Sequence, residues 1–174
     1  MAEKFGNTWW SERWLQSLAN IDFENRLPRG ASYARKGAVT KIDIKGNTIE
    51  AKVQGTYKYT VKIAVPEFSA AEKRKFIDAL IAQPALIASL LNHQLLPEVM
   101  TIAERLKMKV FPTSWKDFKM DCSCPDWAVP CKHLAAVIYV ISREIDNDPF
   151  LVFKLHNIDI LKELADRGVT IDEK

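Results

Sequence analysis

Residues 121–133 read Asp-Cys-Ser-Cys-Pro-Asp-Trp-Ala-Val-Pro-Cys-Lys-His, and they hold every cysteine of the 174-residue chain. Cys122 and Cys124 are one residue apart, six residues follow, and Cys131 is separated from His133 by one residue. Three thiolates and an imidazole make a complete tetrahedral ligand set for zinc, of the Cys₃His kind. The segment therefore predicts one zinc ion held by Cys122, Cys124, Cys131 and His133.

The pattern on either side of the cysteines predicts how they meet. Residues 118–121 alternate between apolar and charged, which indicates a strand that runs into Cys122. Residues two apart on an extended chain point the same way, so Cys122 and Cys124 can reach one ion. Residues 125–130 begin and end with proline and form a tight connection. A long apolar helix then begins after Cys131, and its positive N-terminus favours the thiolate there.

Other chemistries fit the cluster less well. Four protein ligands leave no open position, so the zinc is predicted to be structural rather than catalytic. No glutamate follows His133 in the way that a metallohydrolase or a deaminase requires. A Cys-x-Cys redox pair would leave Cys131 and His133 without a role, and iron–sulfur clusters usually take four cysteines at other spacings.

Composition indicates a globular chain, with 48% hydrophobic and 27% charged residues. No apolar run reaches about 18 residues, so no membrane span is expected. The first residues lack the apolar core of a signal peptide. Clustered cysteines in a reducing compartment point to metal chemistry rather than a disulfide, and we expect a cytoplasmic protein.

The rest of the chain predicts an α+β fold: an antiparallel β-meander with packed helices, plus a small zinc-binding strand–loop–helix module. Alternation predicts strands at 39–44, 48–53 and 57–65, separated by short turns. Thr8 is expected to cap a short helix that ends near Ala19. Ser69, Pro84 and Pro97 are expected to start further helices.

We divide the chain into three parts on this basis. Residues 1–108 form an N-terminal α+β region with a basic loop and the β-meander. Residues 109–147 form the zinc finger module, and residues 148–174 form a C-terminal helical tail.

Positive charge is concentrated in one region, although the net charge is only +3. Residues 26–62 carry nine Lys or Arg against Asp43 and Glu50, a local excess of seven. Residues 25–36 within it are polar, basic and rich in turn formers, which predicts a basic loop. A region in which most charges are positive is suited to phosphate contact, although a lysine-rich sheet face is also common as a solvated surface. The candidate nucleic-acid contacts are Arg26, Arg29, Arg35, Lys36, Lys41, Lys52 and Lys132.

The Cys-x-Cys and Cys-x-His pairs, with Pro125 and Asp126 after the second cysteine, resemble the SWIM zinc finger. The earlier part of the chain resembles bacterial SWIM-containing proteins. That resemblance rests on Trp9-Trp10, Arg13-Trp14-Leu15, Arg29-Gly30, residues 33–37 and Val53-Gln54-Gly55. It implies zinc binding, DNA binding or protein–protein contacts, and a link to SNF2-type helicases. The chain has no Gly-x-x-x-x-Gly-Lys-Ser/Thr motif, so any motor would be a separate chain.

Two functions follow as expectations. The first is a zinc-binding SWIM-finger protein that binds DNA or RNA as an accessory module linked to a helicase or remodelling partner. The alternative is a protein–protein interaction adaptor with a purely structural zinc site and no nucleic-acid binding. No constellation of residues supports an enzyme or a small-molecule substrate, so neither is expected.

Overall fold

The computed structural model describes residues 5–18, 26–125 and 131–169, without the side chain of Arg26. It confirms the α+β fold. The strands are β1 (Val39–Lys45), β2 (Thr48–Gln54), β3 (Lys58–Ala64) and β4 (Lys119–Cys122). The helices are α1 (Trp9–Trp14), α2 (Arg26–Arg35), α3 (Ala70–Ile81), α4 (Pro84–Leu91), α5 (Pro97–Arg105), α6 (Lys132–Asn147), α7 (Phe150–Lys154) and α8 (Ile160–Asp166).

The strands form one antiparallel sheet in the order β1-β2-β3-β4, which confirms the predicted meander. The predicted strand before the cysteines is β4, and it pairs with β3 so that Cys122 lies opposite Val61. The ligand-bearing strand is therefore part of the same sheet as the meander. The division of the chain at residue 109 stays a prediction.

One face of the sheet is apolar and buried, as the alternation predicts. Its fully buried members are Ile49, Ala51, Val53, Val61 and Ile63. Ile42 and Ile44 follow the same alternation, but they lie on the edge strand β1, and Ile44 is 38% exposed. The opposite face carries lysines and acidic residues and is mostly exposed.

Helix α6 is the central packing element. It contacts all four strands and also packs against α1 and α2. Its apolar residues at helical spacing, among them Ile138, Ile141 and Ile145, are fully buried. Burying a side chain of this size contributes roughly 1.5–3 kcal/mol, so this one helix face supplies a large share of the core's stabilisation.

The N-terminal helix α1 is attached to α6 through its tryptophans. The indole N–H of Trp10 donates to the Ile145 carbonyl at 2.8 Å, and that of Trp14 donates to the Ile138 carbonyl at 3.0 Å. Thr8 caps α1, as predicted, by accepting from the Ser11 amide. These tryptophans are core residues. A 3₁₀ helix follows at Leu15–Leu18, and the predicted helix end at Ala19 lies outside the described residues.

Asp146 near the end of α6 holds the start of α1. Its carboxylate accepts hydrogen bonds from the Thr8 amide at 2.8 Å and the Thr8 hydroxyl at 2.7 Å, and also from the Ser11 hydroxyl. Burial alone would raise the pKa of Asp146, but the bonds from Ser11 and Thr8 outweigh it and lower the pKa. The carboxylate is thus kept charged at the position where it accepts hydrogen bonds from the start of α1.

His156 is buried beside the segments that flank the sheet. Its two ring nitrogens lie 2.6 Å from the carbonyl oxygens of Pro66 and Val110, and its ring stacks on Phe68 with centroids 4.7 Å apart. The imidazole therefore joins the chain after β3 to the chain before β4. It has a packing role and is not among the four residues of the cysteine cluster.

The predicted basic loop at residues 25–36 is wrong, because α2 spans Arg26–Arg35. Proline and glycine suggested turns, but Pro28 lies in the first turn of the helix, where proline is tolerated. The helix is stabilised by tertiary packing that local propensity does not show, since Leu27, Ala31 and Ala34 are buried.

Gly30 allows α2 and α6 to cross closely. A Cβ at Gly30 would lie 2.6 Å from the Cβ of Ala135 and 3.2 Å from the amide nitrogen of Ala136. Any larger residue at position 30 would force the two helices apart.

None of the described helices combines the length and the apolarity that crossing a membrane requires.

We predict that Gly30→Ala lowers the free energy of unfolding by about 1–3 kcal/mol, because overpacking at the helix crossing outweighs the gain in helix propensity. Urea denaturation followed by tryptophan fluorescence measures the change. Ser32→Ala on the exposed face of the same helix is the control, and it should stay within about 0.5 kcal/mol of the wild type. Equal stability of the two variants would contradict the close crossing.

Candidate metal centre

The four predicted ligands come together. One sulfur from each of Cys122, Cys124 and Cys131 and one nitrogen of His133 all lie within 4.8 Å of one another. The Nδ1 atom of His133 is 3.8 Å from the sulfur of Cys122 and 3.9 Å from that of Cys131. A tetrahedral zinc with bonds of about 2.3 Å to sulfur and about 2.0–2.1 Å to nitrogen separates its ligand atoms by about 3.5–3.8 Å. The residues therefore fit one structural zinc ion.

Two elements supply the ligands. Strand β4 ends at Cys122, and Ser123 continues the pairing, since its amide donates to the Thr60 carbonyl at 3.0 Å and its hydroxyl accepts from the Thr60 amide at 2.9 Å. Cys124 follows directly. Cys131 is the N-cap residue of α6, and His133 lies in the first turn of that helix. The predicted tight connection falls mainly on residues 126–130, which lie outside the described residues.

The surroundings of Cys131 favour the thiolate form of its side chain. Cys131 is 1% exposed. The hydrogen bond from the Cys122 thiol lowers the pKa of Cys131 to about 4 against the effect of burial, and His133 and the Leu134 amide add to the lowering. The same hydrogen bond, together with burial, raises the pKa of Cys122. Thiolate is the form that binds metal, so a lowered pKa at Cys131 suits its role as a ligand.

His133 is oriented by packing. Its ring lies between those of Tyr59 and Tyr33, with centroids 4.5 Å and 5.5 Å away. Nδ1 faces the cysteines, and the buried Nε2 has no hydrogen-bond partner among the described residues. A metal-bound histidine commonly donates its second N–H to an acceptor. Here the two tyrosine rings and the close backbone of Gly55 hold the imidazole instead.

Gly55 and Tyr59 were not predicted to touch the metal site. A Cβ at Gly55 would lie 3.1 Å from Nε2 of His133 and 2.9 Å from the ring of Tyr59. The sequence signal for this contact was Gly55 itself, which interrupts the alternation of the strands. A glycine at such a position often marks the close approach of another part of the protein.

Two of the predicted nucleic-acid contacts meet beside the finger, and a third lies on the same side of α2. The Lys36 ammonium lies 4.3 Å from the centre of the Tyr33 ring, and the Lys132 ammonium lies 5.7 Å from it. Arg29 is exposed one turn before Tyr33 on α2, so it falls on the same stripe of that helix. We call Arg29, Lys36 and Lys132 the basic cluster.

The other candidates lie elsewhere. The Arg35 guanidinium is 5.2 Å from the centre of the Phe5 ring. Lys41 and Lys52 are cross-strand partners on the outer face of the sheet. Lys41 pairs with Asp43 at 3.5 Å, and Lys52 donates to the Thr60 hydroxyl at 2.7 Å. The side chain of Arg26 is outside the described residues.

Residues 110–142 match the SWIM zinc finger family, a span that includes β4, all four ligands and most of α6. The chain is also similar to the uncharacterized protein Rv2102 of Mycobacterium tuberculosis, with 37% identity over 147 residues. That match covers 83% of this chain and 53% of the relative, so the chain spans about half the length of the curated relative it matches. No solved structure matches the chain.

We predict that Cys124→Ser lowers zinc affinity by more than about 100-fold and also lowers the melting temperature, because ligand loss removes metal-linked folding energy. Competition with a chromophoric chelator measures the affinity. Asp121→Asn, an exposed neighbour on the opposite face of β4, is the matched control and should retain wild-type affinity. A purified wild-type chain without zinc, or a Cys124→Ser protein that binds zinc as tightly, would contradict the site.

Proposed function

We propose that this chain, whose residues 110–142 match the SWIM zinc finger family, is a nucleic-acid-binding accessory module whose contact surface is the basic cluster. The zinc ion is structural in this proposal. Its role is to fix the start of α6, from which Lys132 extends.

The meeting of Lys36 and Lys132 at one tyrosine ring carries the proposal. The two residues come from different helices and are far apart in sequence, yet both ammonium groups lie within 6 Å of the Tyr33 ring centre. Neither forms an ion pair with a carboxylate within the part of the chain that the structure describes. Two like charges near one ring repel each other, and a polyanion such as a phosphate backbone relieves that repulsion.

The finger fixes one member of the cluster directly. Lys132 stands between the ligands Cys131 and His133, at the first position of α6. Metal binding to both neighbours restricts the backbone from which the Lys132 side chain extends. Lys36 belongs to α2, which is held by packing against α6 rather than by the metal.

A partner motor of the SNF2 type belongs to the proposal through the family resemblance, and it would act as a separate chain. In the alternative, a protein–protein adaptor, the basic cluster only keeps the surface hydrated. The nucleic-acid-binding module and the adaptor differ in one measurable property, which is whether the isolated zinc-loaded protein binds nucleic acid.

We predict that the zinc-loaded chain binds labelled oligonucleotides and loses about 20- to 150-fold in affinity between 50 and 200 mM salt, as three to four phosphate contacts require. The double variant Lys36→Ala, Lys132→Ala should bind more weakly and have a salt slope smaller by about 1.4–1.8, since two contacts are removed. Fluorescence anisotropy across a salt series measures both quantities.

The matched control is the double variant Lys75→Ala, Lys162→Ala, which removes the same charge from exposed positions on α3 and α8. It should retain the wild-type salt slope. Equal losses in both double variants would show that only net charge matters and would contradict the cluster. Absence of binding to single- and double-stranded DNA and RNA at low salt would refute the proposed function in favour of the adaptor.

A further inference from the structure

Tyr57 is unusually exposed for an aromatic residue. Its relative exposure is 71%, and the other exposed large hydrophobic residues among those described, Ile44 and Leu161, are each 38% exposed. It lies in the turn between β2 and β3, where the Gly55 amide donates to the Tyr57 carbonyl at 2.9 Å. The backbone is thus held in place while the side chain extends into solvent.

The ring is supported from one side by the residues around the metal site. Tyr57 and Tyr59 are nearly perpendicular, at 86°, with centroids 6.4 Å apart. Tyr59 in turn packs on the His133 ligand, whose other ring neighbour is Tyr33. A row of rings therefore runs from the exposed Tyr57 past the zinc ligand to the ring that carries the basic cluster.

Positive charge accompanies this row. Lys36 and Lys132 lie within 6 Å of the Tyr33 ring centre, at the end of the row away from Tyr57. A solvent-exposed aromatic ring on the same surface as cations is a combination that binds single strands, because a base stacks on the ring while the cations contact the phosphates.

We propose that Tyr57 is a stacking platform for an unpaired base, so that the ligand of this surface is single-stranded nucleic acid. This inference rests on the proposed function, since the basic cluster supplies the phosphate contacts. Bases in an intact duplex are stacked on one another, and their faces are closed to a side chain. Tyr57 therefore contributes to binding only where the strand is unpaired.

The test compares three probes of equal length by fluorescence anisotropy at one salt concentration: oligothymidine, an abasic strand with the same phosphates, and a blunt duplex. Tyr57→Ala should weaken binding to oligothymidine by about 5- to 150-fold, which corresponds to the loss of one stacked base. Its affinities for the abasic strand and the duplex should stay at the wild-type values. Tyr57→Phe should retain wild-type binding to all three probes, because the ring remains.

Leu161→Ala is the control for removing an exposed apolar side chain at a different place, and it should leave all three affinities unchanged. Zinc content and melting temperature of each variant show that the fold is intact.

Different outcomes separate the two proposals. Unchanged oligothymidine binding by Tyr57→Ala, while Lys36→Ala, Lys132→Ala still weakens it, would overturn the stacking platform and leave the proposed function standing. Equal weakening on all three probes would also overturn it. A wild-type protein that binds none of the probes would refute the proposed function itself, and the stacking platform with it.

Discussion

A single tetrahedral ligand set joins the end of β4 to the start of α6, and the remaining architecture depends on that junction. Cys122 lies on a strand that is paired with β3, and Cys131 and His133 open the helix that fills the core. One ion bound at both places ties the edge of the sheet to its central helix. The core of α6 would still be apolar without the metal, but its first turn would lose the constraint that directs it at the sheet.

The zinc site also connects the parts of the chain that are proposed to meet nucleic acid. His133 is held between Tyr59 of the sheet and Tyr33 of α2, so one imidazole contacts both elements. Gly55 and Gly30 permit these close approaches, the first at the imidazole and the second at the helix crossing. In the proposed function, the metal fixes the His133 imidazole and the backbone from which Lys132 extends, and it does not contact the nucleic acid.

The sequence predicted the parts that depend on local pattern. Cysteine spacing identified the ligands, and period-two alternation located the meander. It misjudged residues 26–35, because Pro28 and Gly30 carry local turn signals while the helix is stabilised by packing on α6. It also missed Tyr59 and Gly55 as neighbours of His133, since that contact exists only after β3 and α6 come together. Counting charges located the basic region, but it could not show that Lys36 and Lys41 lie on different surfaces of the protein.

X-ray absorption at the zinc edge of the purified protein, with metal content measured on the same sample, tests the central claim most directly. We expect one zinc per chain in a four-coordinate shell of three sulfurs at about 2.3 Å and one nitrogen at about 2.0–2.1 Å. A shell with fewer sulfurs, an added water oxygen, or less than one zinc bound per chain would contradict a closed Cys₃His clamp between β4 and α6.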